Sequence, residues 1–198
     1  MTNMNNGKIL QDMLVDKPKA IQLLKAGAVG VMATDTVYGL VASAHNQKAV
    51  ERFYALKSRE HKPGTVIAAS VDQLRELGVS QQRLDMVAHM WPNPLSIETP
   101  LGEELSYLHQ ATGRQGLRVV DDTAVRAILD ETGPLVTSSA NKPGEPGSVT
   151  VQQAWDYFNG SVDFYLDAGD RSGRAPSTLI KLLDDGEIEV IRPGAMKF

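Results

Sequence analysis

Apolar positions along this chain switch repeatedly between a helical spacing and short uninterrupted runs. Between Lys17 and Ala26 they fall at Ala20, Ile21, Leu23 and Leu24, which predicts a short helix stopped by Gly27. Ala28–Met32 is an apolar run of strand length and predicts a buried strand; Thr34–Tyr38 then leads to a turn at Gly39. Val50, Phe53, Tyr54 and Lys57 share one side of a helix predicted from Lys48 to Lys57, with Asn46 as its cap. Further helices are predicted over Gln81–Met90, from a cap at Asp121 to Leu129, and from a cap at Thr150 to Phe158. Strands are predicted over Thr65–Ala69, Leu95–Glu98, Gly116–Val120, Pro134–Thr137, Val162–Leu166, Thr178–Leu182 and Ile188–Ile191. Pro63-Gly64 and Trp91-Pro92-Asn93-Pro94 interrupt the pattern. Residues 1–14 read as a polar lead-in and 15–198 as one domain. Strands and helices alternate without repeats, so the expected fold is α/β with a mixed sheet.

Composition narrows the chemistry. With 198 residues, 42% hydrophobic and 22% charged, the chain can bury a sizeable core. The absence of cysteine excludes disulfides, thiol nucleophiles and thiolate metal sites. The histidines, His45, His61, His89 and His109, share no zinc-type spacing. A net charge of −4 argues against broad electrostatic adhesion to nucleic acid. No apolar run approaches the ~18 residues of a membrane span, and Met1–Gly7 has no apolar signal core, so the expected location is cytoplasmic, with no membrane partner.

The candidate chemistry sits where strands end. Thr34-Asp35-Thr36 follows the first strand, at the kind of position where α/β sheets bind ligands; the alternative is a hydroxyl-stabilised turn with Asp35 exposed. Lys57, Arg59 and Lys62 form a cationic cluster after a helix, either as phosphate contacts or as a solvated end favoured by the helix dipole. Ser139-Ala140-Asn141 follows an apolar strand and serves either as donors to phosphate and ribose oxygens or as turn formers. Arg118 lies inside a predicted strand, where it must point outward or meet a carboxylate. No Walker loop, dinucleotide fingerprint, catalytic serine triad or metal cage is legible.

The order of these segments is more telling than any one of them. Thr34-Asp35-Thr36-Val37-Tyr38-Gly39-Leu40, Lys57-x-Arg59, Trp91-Pro92-x-Pro94-Leu95, Leu117-Arg118-Val119, Thr137-Ser138-Ser139-Ala140-Asn141, Pro176-Ser177-Thr178 and Arg192-Pro193-Gly194 together resemble the YrdC family of threonylcarbamoyl-AMP synthases in its short, single-domain form. The resemblance implies a twisted mixed sheet, with antiparallel and parallel pairs, flanked by helices around a large concave cavity. It implies L-threonine, bicarbonate or CO2 and ATP as substrates, Mg²⁺ arriving with ATP, and a downstream complex that transfers threonylcarbamoyl to tRNA, with tRNA contact possible. By motif position, Thr36, Arg118, Ser139 and Ser177 would hold threonine. Lys57, Arg59, Lys62, Asn141, Ser148 and Arg192 would line ATP, with Lys57, Arg59, Ser139 and Asn141 central to catalysis. No resident metal is implied. The chain departs from the family pattern at Ala33, at Val120, in the loop from Glu60 to Gly64, and in Ser96-Ile97-Glu98-Thr99, which is more polar than the usual apolar run. Either that first loop or Gly169–Pro176 is the expected lid. The competing reading is a non-enzymatic module of the same fold that binds double-stranded RNA or tRNA.

Overall fold

The computed structural model describes residues 2–58, 61–141, 144–183 and 187–197, with side chains from residue 7 onward. In chain order the elements are α1 (Thr2–Met13), α2 (Lys17–Lys25), β1 (Gly30–Ala33), β2 (Tyr38–Ser43), α3 (Gln47–Lys57), β3 (Thr65–Ala68), α4 (Val71–Glu76), α5 (Gln81–Val87), β4 (Leu95–Pro100), α6 (Ser106–His109), β5 (Arg114–Val119), α7 (Thr123–Thr132), β6 (Leu135–Ser139), α8 (Val151–Phe158), β7 (Phe164–Leu166), β8 (Thr178–Leu182) and β9 (Ile188–Arg192). The strands form one twisted nine-stranded sheet in the order β7-β1-β2-β6-β3-β5-β4-β8-β9. It is mixed: β1/β7, β3/β5 and β4/β8 are parallel, whereas β1/β2, β2/β6, β3/β6, β4/β5 and β8/β9 are antiparallel.

Most helix starts follow their caps. Asp16 accepts from the Lys19 N–H, Asn46 from Ala49 and Thr150 from Gln153. The cap of α7 is Asp122, not Asp121: its Oδ1 accepts from the N–H groups of Ala124 and Val125. The polar lead-in forms a helix over Thr2–Met13; it seats Leu10 in the core, and the Val15 N–H then donates to Tyr165 at the sheet edge. Tyr38–Ser43 is a strand with every residue buried, where the sequence predicted a turn at Gly39. A Cβ at Gly39 would lie 2.5 Å from Thr137 Oγ1, so this glycine serves close strand packing, not a reversal.

The sheet separates two apolar layers. One contains Val31, Leu40, Val66, Leu117, Val136 and Ile97 against α3, α6 and α8; the other contains Met32, Val41, Ile67, Val120 and Leu135 against α2 and α7. On the second face each strand changes character along its length. β6 reads Leu135, Thr137, Ser139 in steps of two, β3 reads Ile67 then Thr65, and β5 continues from Val120 through Arg118 and Gly116 to Arg114. Helices α2 and α7 cover the apolar half, and the polar half is left open.

Candidate functional site

The open half of that face is a cavity of about 190 Å³. Thr34 and Thr36 border it from the β1–β2 connection, Tyr38 from the start of β2, Gly64 and Thr65 from the entry to β3, Arg114, Gly116 and Arg118 from β5, Thr137 and Ser139 from β6, Ser177 from just before β8 and Arg192 from the end of β9. All four residues expected to hold threonine, Thr36, Arg118, Ser139 and Ser177, lie on this one wall, with Arg192 among them.

Arg118 meets a carboxylate. Its Nη2 donates to Asp35 Oδ1 at 2.8 Å, with the two side chains 4% and 5% exposed. Its Nη1 donates to Ser96 Oγ at 3.1 Å, and that hydroxyl lies 3.0 Å from Ser177 Oγ. Arg192 closes the chain: its Nη2 donates to the Ser177 carbonyl at 2.8 Å and contacts Ser177 Oγ at 3.1 Å. Thr34-Asp35-Thr36 forms the hydroxyl-stabilised turn, but without the exposed Asp35 that this alternative carried. Thr34 Oγ1 donates to the Val37 carbonyl and accepts the Thr36 N–H, a hydroxyl turn, but Asp35 is buried. Two buried atoms of this cluster, Arg118 Nε and Asp35 Oδ2, have no hydrogen-bond partner.

The loop that precedes β8 is clasped over this cluster. Tyr38 Oη accepts the Ala168 N–H and contacts Asp167 Oδ1 and the Gly169 carbonyl, both at 2.8 Å. Burial first, then the neighbouring Asp167, raises the Tyr38 hydroxyl to about 12, so it stays protonated. Further along, Arg174 donates to the Asp35 carbonyl and, with Arg171, flanks the α7 cap Asp122.

Ser139 links this cavity to a second of about 440 Å³, bordered by Asn141, Glu145, Ser148, Gln153 and Tyr157. Ser139 Oγ donates to Asn141 Oδ1 at 2.6 Å. A Cβ at Gly147 would lie 3.0 Å from Val37 and 3.5 Å from Ser139, so the two cavities share a thin wall. Ser148 is buried in that wall; its N–H and hydroxyl both face the Ala140 carbonyl, and its own carbonyl accepts the Tyr38 N–H. Lys57 does not border either cavity. Its ammonium donates to the Ser139 and Asn141 carbonyls, both at 2.9 Å, and stands 5.1 Å from the Tyr157 ring centre. Lys62 is exposed and borders neither cavity; its N–H donates to Gln110 Oε1. Arg59 lies outside the described residues. Among the described residues, no three His, Asp or Glu side chains gather into a metal cage. His109, fully buried, accepts the Gly113 N–H on Nδ1 and faces the Gly102 carbonyl with Nε2, a structural role between β4 and β5.

A family model described as "Telomere recombination", covering Sua5, YciO and YrdC, matches residues 22–194. The chain belongs to the Sua5/YciO/YrdC family. Among this family's named relatives, the threonylcarbamoyl-AMP synthase of Pseudomonas fluorescens (strain Pf0-1) is 33% identical over 184 residues, 88% of this chain and 95% of that one. A putative threonylcarbamoyl-AMP synthase of Mycobacterium tuberculosis is 34% identical over 179 residues, covering 88% and 82%. Of solved structures, P. abyssi Sua5 complexed with L-threonine superposes with a TM-score of 0.80 at 26% identity, over 90% of this chain; this chain spans 54% of that longer one. E. coli YciO has a TM-score of 0.77 at 21% identity over 93% of this chain, a likeness of fold. The Sua5/YciO/YrdC fold is thus the twisted mixed sheet expected from the motifs.

Ser96 and Glu98 stood out in the sequence only as part of an unusually polar run, with no role in the site; Arg114, which pairs with Glu98 on the cavity wall, and the Asp122 clasp were not singled out. A period-two signal does exist for Ser96, Glu98 and Arg114. Ser96 with Glu98, and Arg114 with Arg118, fall on one face of strands whose other face carries Leu95 and Ile97, and Leu117 and Val119.

Proposed function

We propose that this protein is a threonylcarbamoyl-AMP synthase acting as a nucleotidyltransferase. It takes L-threonine, bicarbonate or CO2 and ATP to threonylcarbamoyl-adenylate and pyrophosphate. The observation that carries the reading is the convergence of Thr36, Arg118, Ser139 and Ser177 from four separate segments on one cavity, beside a second cavity reached through Ser139–Asn141. Relatives that carry this activity in their names match nearly the whole chain.

In this reading the threonine amine captures CO2 as a carbamate, and a carbamate oxygen attacks the α-phosphate, expelling pyrophosphate. The chain's contribution is positioning and charge. Arg118 receives the threonine carboxylate on the N–H groups that Asp35 and Ser96 leave open. Ser177 and Thr36 contact the amino acid's polar atoms. Ser139 and Asn141 lie at the junction where carbamate and α-phosphate meet, and Lys57 fixes that junction by holding its two carbonyls. Arg59, Arg192 and Ser148 belong to the nucleotide side of this reading.

Mg²⁺ enters with the nucleotide. Glu98 on the cavity wall and Asp35, buried against Arg118, are each already paired with an arginine, and no cage exists among the described residues, so the residues do not fit a resident ion and no step depends on one. In this reading the product passes to a tRNA-modifying transferase, and the protein works in the cytoplasm. No helix among the described residues is long and apolar enough to cross a membrane.

The test is pyrophosphate release by the pure protein with ATP, threonine and bicarbonate, and detection of the adenylate by mass spectrometry. Release that requires both threonine and bicarbonate, without RNA, supports the reading. Tight RNA binding with no threonine-dependent release replaces it with an RNA-binding module.

A further inference from the structure

Two charged residues of the cavity wall, Glu98 and Arg114, have no part in the site as read so far. Glu98 stands opposite Gly116 across the β4/β5 pair, and Arg114, two residues earlier on β5, reaches it diagonally. Arg114 Nε donates to Glu98 Oε2 at 2.9 Å, and Nη2 approaches the Glu98 carbonyl at 3.4 Å. Nη1 donates to no described residue. The side chains are 31% and 29% exposed, so this pair sits at the rim, in contrast to the buried Arg118–Asp35 pair.

Arg114, Gly116 and Arg118 project to the same face, so the two arginine positions are separated by four residues of strand, roughly 13 Å. The Arg114 end is also where the chain that carries Lys57, Arg59 and Lys62 rejoins the sheet. Thr65 pairs in parallel with Gly116, a register that, continued two residues back, sets Pro63 beside Arg114; both line the cavity. The cavity therefore has a closed end at Arg118 and Ser177 and an open, solvated end at Arg114.

Resting on the synthase reading, we propose that Arg114 grips the outer phosphates of the nucleotide and that Glu98 occupies its guanidinium until nucleotide arrives. With the amino-acid carboxylate on Arg118 and the carbamate attacking the α-phosphate, the leaving pyrophosphate extends away from Arg118. The next cation on the same face of β5 is Arg114. The other lining arginines stand at the closed end: Arg118 is held by Asp35 and Ser96, and Arg192 by Ser177. A rim ion pair is worth at most about 1 kcal/mol, so Glu98 yields to a polyphosphate, which presents more charge and suits the planar fork of a guanidinium. Glu98 is then a competitor of the nucleotide, a positioning residue that acts only through Arg114.

This assigns opposite signs to the two halves of one ion pair. ATP and threonine affinities are measured by calorimetry for the wild type, Arg114→Gln, Glu98→Gln and the double variant, with salt titrations. Arg114→Gln is expected to weaken ATP about tenfold or more, the loss of a charged hydrogen bond, and to flatten the salt dependence, with threonine unchanged within about twofold. Glu98→Gln is expected to tighten ATP about threefold, and the double variant to match Arg114→Gln. Weakening of ATP by both single variants reduces the pair to a structural brace and overturns the proposal. So does an Arg114→Gln variant with wild-type ATP affinity. Should Arg114→Gln fail to fold, the sign of the Glu98→Gln effect decides alone. A wild type that binds no ATP overturns the synthase reading and this inference together; a wild type that binds ATP while Glu98→Gln weakens it overturns this inference only.

Discussion

Removing the carboxylate of Asp35 should expose how the closed end of the cavity is held. Asp35→Ala leaves the Arg118 guanidinium, 4% exposed, without its 2.8 Å counter-ion. Breaking one half of a buried pair costs about 3–5 kcal/mol, because the surviving charge remains out of water. The pair here is a single contact, not a fork, and Asp35 Oδ2 and Arg118 Nε are already unsatisfied. That places the expectation near the lower end, about 3 kcal/mol. For a chain of this size, each kcal/mol moves the melting temperature about 2–4 °C, so the fall should approach about 10 °C. The assay is urea denaturation of the wild type, Asp35→Ala, Arg118→Met and the double variant, with Glu131→Ala as an exposed control. The Lys25–Glu131 pair is 51% and 61% exposed, so its loss should cost under about 1 kcal/mol. The double variant should lose less than the sum of the singles, since it leaves no orphaned charge. An Asp35→Ala cost no greater than that of Glu131→Ala would refute the argument that this pair is buried and coupled.

Ser177→Ala removes the hydroxyl that meets both Ser96 and Arg192, and should raise the KM for threonine about tenfold while changing that for ATP less than about threefold; equal changes would detach Ser177 from the amino acid. Gly194→Ala would put a Cβ 2.4 Å from the Pro176 carbonyl oxygen and 2.5 Å from Thr178 N, backbone that cannot give, so a loss of about 1–3 kcal/mol with a raised threonine KM is expected; unchanged melting would contradict the close approach. Asp163 pairs with Arg52 and accepts the Val29 N–H; burial pushes its carboxyl up, but these bonds outweigh it and hold it below its usual 3.8. Its stabilising effect is therefore present above that value and lost as pH falls through the lowered one, so the stability gap between wild type and Asp163→Asn should close below about pH 4; parallel pH curves would show that the carboxylate contributes nothing.

Much of the scaffold was legible because it depends on local patterning. Helix caps at Asn46 and Thr150, the strands at Thr178–Leu182 and Ile188–Arg192, and the alternation of elements all follow from side-chain periods of 3.6 and 2 and from backbone N–H groups needing acceptors. The polar segments that meet at the cavity were legible too, as motifs placed at strand ends. The β2 strand was not, because Gly39 and the small residues Ala42 and Ser43 carry little strand signal, and only their burial between β1 and β6 settles the matter.

Chain order alone could name Arg118, Ser139 and Ser177 but not what each would touch. That Arg118 meets Asp35, 83 residues away in sequence, and that Lys57 holds the carbonyls of Ser139 and Asn141, are outcomes of strand order and register in the sheet. The same holds for Glu98 and Arg114, which become neighbours only because β4 and β5 pair antiparallel with Glu98 opposite Gly116. Local propensity acts over a few residues, whereas a binding wall is assembled from strands whose adjacency is decided by which apolar faces α2 and α7 cover and which they leave open. The chemistry was therefore written in the residues, and its geometry belonged to the packed sheet.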